Sequence, residues 1–396
     1  MEIKELKELF LKTYGGSGEG MRFFASPGRV NMIGEHVDYN GGKVFPAALS
    51  LKTTIAYRKR DDNIIRLKAT DLDVMVTADI NKLNDYRDLD WGNYQLGVAY
   101  FMQKEGYTIQ GCDLLYDDTV PHGGGLSSSA AIEVATALLI ATISNEINGV
   151  TEPVDMVKMA LISQKTECEY CGVTCGIMDQ FASAMGKKEH AILLDCKTLE
   201  YSHIPLKTEG YKIVLANTNK KRSLTHSKYN ERCDECGKAL EILKQVLPEI
   251  TCLADVSLAD FEANKGLFTD EIILRRARHV VSECDRTIKS VEALQANDLA
   301  AFGSYLNDSH NSLKEDYEVT GLELDTLVSE SRKIDGCIGS RMTGAGFGGC
   351  TVSLVKEESI PEFIEKVGKN YTEITGLKAD FYISEVSDGG MEIVNY

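Results

Sequence analysis

The sequence is short of positive charge and has no long uninterrupted hydrophobic run, and each shortage excludes a class of partner. Its 43 Lys and Arg stand against 60 Asp and Glu, for a formal net charge of −17. Nucleic-acid phosphates demand the reverse, clustered cations that release counterions, so no nucleic-acid partner is expected. The longest apolar stretch, Ala130 to Ile143, is broken by Glu133 and Thr136 and falls short of the roughly 20 residues that cross a bilayer. It is expected as a buried helix of a soluble protein with no membrane partner. Residues 1–14 are charged and amphipathic, without the basic patch and apolar run of a secretory signal. The 11 cysteines follow no short-domain spacing, which points to reduced thiols in the cytoplasm rather than disulfides. No internal repeat, Pro-rich or Gly/Ser linker or low-complexity tract marks a domain border. No Gly-Lys-Ser/Thr follows a suitable glycine, which excludes a P-loop nucleotidase. An anionic substrate must therefore be met locally, by single basic residues, backbone N–H groups or a divalent cation.

What is present is a chain of 396 residues with 43% hydrophobic content, enough to bury a large core in two domains. Periodicity predicts helices near residues 5–13, 93–105, 129–147 and 154–170, with strands at 53–58, 64–69, 192–195 and 212–217. A mostly helical stretch follows from 230 to 331, and strands return at 350–356 and 379–385. The elements are mixed without regular βαβ alternation, so the fold class is α+β. The boundary is placed near residue 205, dividing the chain into 1–205 and 206–396.

Three glycine-bearing segments concentrate the chemistry. Pro121-His-Gly-Gly-Gly-Leu-Ser-Ser-Ser-Ala130 sets a glycine cluster and three serines ahead of a long apolar helix. Glycines let N–H groups turn inward, serines cap the helix, and the helix N-terminus adds positive charge, so an anion site is expected here, the other reading being a solvent-exposed turn that caps a core helix. Gly339-Ser-Arg-Met-Thr-Gly-Ala-Gly-Phe-Gly-Gly-Cys350 contains GxGxxG, but it runs into a strand and not a helix, which excludes a dinucleotide fold. A glycine loop packed against a ligand or another loop, or an ordinary hairpin, remains. Gly28-Arg-Val-Asn-Met-Ile-Gly-Glu-His-Val-Asp-Tyr-Asn-Gly-Gly42 crowds Arg29, Glu35, His36, Asp38 and Asn40 together, which suits a polyhydroxylated ligand. The spacing of its histidine and acids fits no familiar metal pattern.

A fourth segment, Glu167-Cys-Glu-Tyr-Cys-Gly-Val-Thr-Cys-Gly-Ile-Met-Asp-Gln180, offers three thiols and two acids. A structural zinc site needs four ligands, and Cys233 or Cys236 would have to come from a distant segment. Buried helix-face cysteines account for the pattern better.

Together, in this order and at these separations, the three glycine segments resemble the motifs of the GHMP small-molecule kinases, and the first is similar to the motif of that family's galactokinase branch. The resemblance extends to residues 167–180 and to Trp91-Gly-Asn-Tyr94, nearly end to end. It implies an N-terminal domain like the second domain of ribosomal protein S5, a ferredoxin-like C-terminal half, and an active site between them. The implied reaction is ATP- and magnesium-dependent phosphorylation of galactose at its anomeric hydroxyl, the first step of that sugar's catabolism, by a monomer or homodimer. By the same resemblance Gly123, Gly124, Gly125, Leu126, Ser127, Ser128 and Ser129 wrap the ATP phosphates. Ser128 or Ser129 holds magnesium with Glu167, and Trp91 and Tyr94 line the adenine pocket or simply pack in the core. Asp179 sits against the anomeric hydroxyl with Arg29 beside it, either taking the proton or orienting the hydroxyl. Glu35, His36, Asp38, Gly176 and Tyr229 read the sugar, and Gly344 and Gly346 close the site from the C-terminal half. Val37 departs from the family's more frequent threonine. Two alternatives remain: a kinase for N-acetylgalactosamine, galacturonate or arabinose, and a non-catalytic sensor of galactose and ATP.

Overall fold

The computed structural model describes residues 1–89, 91–208, 210–221 and 225–394. The first half runs α1 (Ile3–Tyr14), β1 (Arg22–Asn31), β2 (Lys43–Val44), β3 (Pro46–Lys59), β4 (Ile64–Ala69), β5 (Val76–Asp79), α2 (Gly92–Lys104), β6 (Cys112–Asp118), α3 (Ser128–Asn148), α4 (Met156–Lys165), α5 (Met178–Met185), β7 (His190–Asp195) and β8 (Tyr201–Pro205). The second runs β9 (Tyr211–Asn217), α6 (Thr225–Lys244), α7 (Leu258–Asn264), α8 (Glu271–Gln295), α9 (Leu299–Glu315), α10 (Gly321–Ser331), β10 (Cys337–Thr343), β11 (Cys350–Lys356), α11 (Ile360–Thr375), β12 (Asp380–Ser384) and β13 (Met391–Ile393).

A six-stranded sheet in the order β13-β1-β3-β6-β4-β5 forms the N-terminal platform. Its pairings are antiparallel except β4 beside β6. α3 lies on this platform and is wrapped by α2, α4 and α5. That enclosure explains a sequence apolar all round, since Val134, Ala135, Leu138 and Leu139 are all buried. The expectation that the run is too short to cross a bilayer needs correction. Polar turns extend it to a 21-residue helix that by length and composition could span, yet 72% of its apolar window is buried inside the protein. On the opposite side, Leu6 and Phe10 of α1 pack with Phe23 of β1, each burial contributing about 2 kcal/mol.

The second half contains a four-stranded antiparallel sheet, β10-β11-β9-β12. Its β-α-β-β-α-β succession, with the last strand beside the first, is the ferredoxin-like arrangement. One face takes α10 and α11 through Leu327, Phe363 and Tyr371. The other shares a single core with the first half, where Leu215, Val352 and Phe302 meet Val30, Met32 and Phe45. A small sheet, β2-β7-β8, completes the set.

The expected helices and strands are present to within a few residues, with one informative exception. The helix expected through residue 170 ends at Lys165, and Thr166–Tyr170 forms a π-helical turn. Such a turn inserts extra backbone into a helix and re-aims the side chains on it.

Candidate active site

The loop between β6 and α3 turns through positive φ at Gly123 (67°), Gly125 (75°) and Ser127 (62°) before α3 begins. The first-turn N–H groups of α3 have no intrahelical acceptor by construction and carry the positive end of the helix. Sequence reasoning expected the serines to cap this helix, but Ser127 makes no side-chain capping bond. Each hydroxyl donates to a carboxylate instead: Ser127 to Asp179 Oδ2 at 2.7 Å, Ser128 to Asp118 Oδ2 at 2.7 Å and Ser129 to Glu167 Oε1 at 3.2 Å. Charged acceptors make the stronger bonds, and the left-handed turn at Ser127 rotates its side chain off the helix axis.

Arg29 reaches the same loop from β1. A register shift between Pro27 and Arg29 accompanies the point where Arg29 N leaves the ladder and donates to Leu126 O at 3.0 Å. The buried guanidinium donates to Asp179 Oδ1 through Nε at 2.9 Å and to the Gly125 carbonyl through Nη1 at 2.6 Å. Its Nη2 lies 2.7 Å from the same carboxylate oxygen. Asp179, in the first turn of α5, is thus held at both oxygens.

These groups line a cleft of about 460 Å³. Trp91, Tyr94, Gly123, Gly125, Ser127, Ser128, Ser129, Glu167, Arg29 and Asp179 all reach it. Gly124 and Leu126 stand behind the wall, Leu126 fully buried in the core. Trp91 meets Tyr116 edge to face at 6.3 Å, and its buried indole N–H has no partner among the described residues. Asp118, His122, Gln95 and Tyr116 also line the cleft and were not anticipated. Asp118 ends β6 only three residues before the glycine segment, a position that could have drawn notice.

Glu167 stands in an acidic pocket. Gln180 Nε2 donates to Glu167 Oε2 at 2.6 Å and to Glu133 Oε2 at 3.0 Å. Burial, followed by the Asp179 carboxylate, pushes Glu167 up to about 7. Burial and then Glu167 raise Glu133 well above its ordinary value. Among the described residues no group of three His, Cys, Asp or Glu is gathered to cage a metal. A hydroxyl and carboxylate oxygen donor set with few protein ligands nevertheless suits magnesium, which binds through one or two carboxylates and takes the rest from phosphates and water.

The five candidate sugar readers are not among the described residues that line this 460 Å³ cleft, but they adjoin it, since His36 contacts the carbonyl of its lining residue Ala345 while Tyr229 packs on His36 and Gly176 on Asp38. Glu35 is buried, its Oε2 3.0 Å from Arg341 Nη2, and burial raises its carboxyl against the pull of Arg341. His36 adopts φ 62°. A carbonyl can only accept, so the 3.2 Å contact of His36 Nε2 with Ala345 O makes that nitrogen the donor. Nδ1 then accepts from the Tyr39 hydroxyl at 3.0 Å, which lies 2.7 Å from Tyr317 Oη. Burial pushes His36 down to about 3, so it stays neutral. Tyr229 packs its ring 5.7 Å from His36 and 5.1 Å from Tyr39. Asp38, pushed up to about 7 by burial and then by Asp179, lies against Gly176, where an added Cβ would sit 1.9 Å from Asp38 Oδ2. Only glycine fits there.

The C-terminal glycine loop comes down on the phosphate loop. A Cβ on Gly344 (φ 86°) would lie 2.9 Å from Gly125 O, and one on Gly346 (φ 80°) 2.3 Å from Val319 O. Arg341 was overlooked, although it lies inside the quoted segment. Its guanidinium donates to the carbonyls of Asn31 at 2.9 Å and Met32 at 3.2 Å, tying β10 to the end of β1.

Comparison with known proteins agrees with this arrangement. A galactokinase galactose-binding signature matches residues 8–59, the GHMP kinases N terminal domain matches 93–187 and the GHMP kinases C terminal model matches 290–373. The galactokinase of Clostridium tetani is 46% identical over 393 residues, covering 99% of this chain and 98% of the relative. That of Clostridium acetobutylicum is 49% identical over 373 residues, covering 93% and 94%. The crystal structure of Lactococcus lactis galactokinase complexed with galactose superposes with a TM-score of 0.92 at 40% identity, covering 99% of this chain and 100% of that one. The chain therefore belongs to the GHMP kinases and, within them, to the galactokinases.

Proposed function

We propose that the chain transfers the γ-phosphoryl group of ATP to the anomeric hydroxyl of D-galactose, giving α-D-galactose 1-phosphate and ADP. The observation that carries this reading is the placement of Arg29, which touches Asp179 on one side and the Gly125 carbonyl of the phosphate loop on the other. One cation thus joins the acceptor side of the cleft to the donor side.

Asp179 accepts a hydrogen bond from the sugar's anomeric hydroxyl and aims its oxygen at the γ-phosphorus. The new O–P bond forms as the bond to the β-phosphate bridging oxygen breaks and ADP leaves. The hydroxyl proton passes to Asp179 and then to water. Arg29 stabilises charge on the transferring phosphoryl, and positioning supplies much of the remaining rate. Glu167 with Ser128 or Ser129 would hold magnesium, which neutralises phosphate charge when bound. Gly123 through Ser129 cradle the phosphates, Trp91 and Tyr94 receive the adenine, and Gly344 and Gly346 close the cleft. Glu35, His36, Asp38, Gly176 and Tyr229 select the sugar. Division near residue 205 leaves the cleft between two halves, and 11 free cysteines are in keeping with a cytoplasmic enzyme, as monomer or homodimer.

The test is ATP consumption with magnesium across galactose, N-acetylgalactosamine, galacturonate, arabinose, glucose and mevalonate. Turnover restricted to galactose with a 1-phosphate product is the expected result. Activity on another sugar alone would move the specificity, and galactose binding without turnover on any sugar would refute the kinase reading.

A further inference from the structure

The cysteine-rich stretch 168–175 takes no part in the chemistry above. Cys168 lies in the π-helical turn Thr166–Tyr170, and Cys175 lies at the end of the loop that follows. The chain folds back between them, with Val173 N donating to Glu167 O at 2.9 Å. The two sulfurs come to face each other at 3.7 Å, and Cys168 Sγ also lies 3.8 Å from the Cys175 carbonyl. Both residues are half-buried, whereas Gly172 and Thr174 between them are exposed. Gly172 (φ 72°) has nothing within 4 Å of an added Cβ, so the loop has room to adjust. A zinc reading of these thiols lacks ligands, since no group of three His, Cys, Asp or Glu is gathered among the described residues.

The chain neighbours of the pair give it consequence. Glu167 directly precedes Cys168 and is bonded to Ser129 and Gln180. Gly176 directly follows Cys175 and lies against Asp38 without space for a methyl group. A disulfide requires the sulfurs to close to about 2.05 Å, so they must approach by roughly 1.7 Å. That movement pulls on both flanking positions at once.

We propose that Cys168 and Cys175 are a site of reversible oxidative modification, joined as a disulfide by hydrogen peroxide, and that the bond displaces Glu167 and Gly176 and suspends turnover. One sulfur, as its thiolate, attacks the O–O bond to give a sulfenic acid, and the departing hydroxide is protonated to water. The other thiol loses its proton and attacks that sulfur; the S–O bond breaks, and the second hydroxide takes up the proton as water. The two sulfurs lose two electrons and the peroxide gains them. A dithiol reductant reverses the change by exchange.

The inference rests on the kinase reading only for its turnover readout, because the cross-link is detected by peptide mass whatever the substrate. The full chain is treated with graded hydrogen peroxide, digested without reductant and assayed for galactose phosphorylation before and after dithiothreitol. A Cys168–Cys175 peptide should appear as turnover falls about tenfold or more, the scale of a misplacement near 1 Å, and activity should return on reduction. Cys168→Ser should keep its activity in peroxide. If that variant does not fold, Cys168→Ala replaces it after a melting curve has confirmed its fold. Absence of the cross-linked peptide, a cross-link that leaves turnover unchanged, or equal loss in the variant would each overturn the proposal. If the untreated chain phosphorylates nothing, the kinase reading fails and the thiol pair is judged on the cross-link alone.

Discussion

Both oxygens of Asp179 are occupied, one by Arg29 and one by Ser127, and the two partners should separate in their effects. Asp179→Asn keeps the size of the side chain but removes the charge. Sugar and ATP binding should stay near normal while turnover falls on the order of 10²–10⁴-fold, measured by calorimetry and by product formation. Ser127→Ala removes a hydroxyl bonded to a charged group, so turnover should fall about 10- to 100-fold with little change in melting temperature. Asp38 offers a pH test. Its carboxyl has an unfolded value of 3.8 and a folded value of about 7, raised by burial and then by Asp179. Between those limits the folded chain binds a proton that the unfolded chain has released, so stability falls as pH rises through this window. The melting temperature of the wild type relative to Asp38→Asn should therefore drop by a few degrees from pH 4 to pH 7 and level off above; a flat difference would refute the shift. Resemblance to the family motifs made Arg29 and Asp179 legible as neighbours although 150 positions apart. The Ser127–Asp179 bond was not legible, because it depends on where α5 docks and on a left-handed turn that serine seldom makes.

At the level of elements, the glycine contacts make the sharpest claims. Gly344→Ala forces a side chain into φ 86° and presses on Gly125, whose carbonyl accepts from Arg29. The KM for ATP should rise and turnover should fall, each by about tenfold, since a shift of an ångström in a positioning group has costs of that order or more. Gly106→Ala is the control, with φ 88° and open space around it, and should lose only stability, about 1 kcal/mol by denaturant melt. Equal effects from the two would remove the link between the loops. Element legibility followed periodicity. α3 announced itself by its apolar run, and β3 and β4 by alternation. β1 was missed because Pro27 and Gly28 interrupt it, and β6 because Asp113, Asp117 and Asp118 mask its buried leucines. The π turn carrying Glu167 could not be read at all, since one-dimensional patterns do not distinguish a fifth residue in a turn from an ordinary helix end.

Across the whole molecule, the halves are joined by a common core and by the chain itself. β13 returns to the N-terminal sheet, pairing Phe23 with Ile393, and Glu392 accepts from Arg22 Nε at 2.7 Å. Deleting residues 391–396 uncovers the edge of β1 and should lower the melting temperature by about 2–4 °C and promote aggregation, measured by calorimetry and light scattering, while KM for galactose stays unchanged. The α+β class was legible from the mixture of periods, but this closing strand was not, because three residues carry too little pattern to register. Its position also imposes an order on biosynthesis. β1 leaves the ribosome early and β13 some 360 residues later, an interval of roughly 20–70 s at 5–20 residues per second. Throughout that interval the strand bearing Arg29 offers one open edge to any other nascent strand. β13, made long after β1, is the clasp that withdraws it.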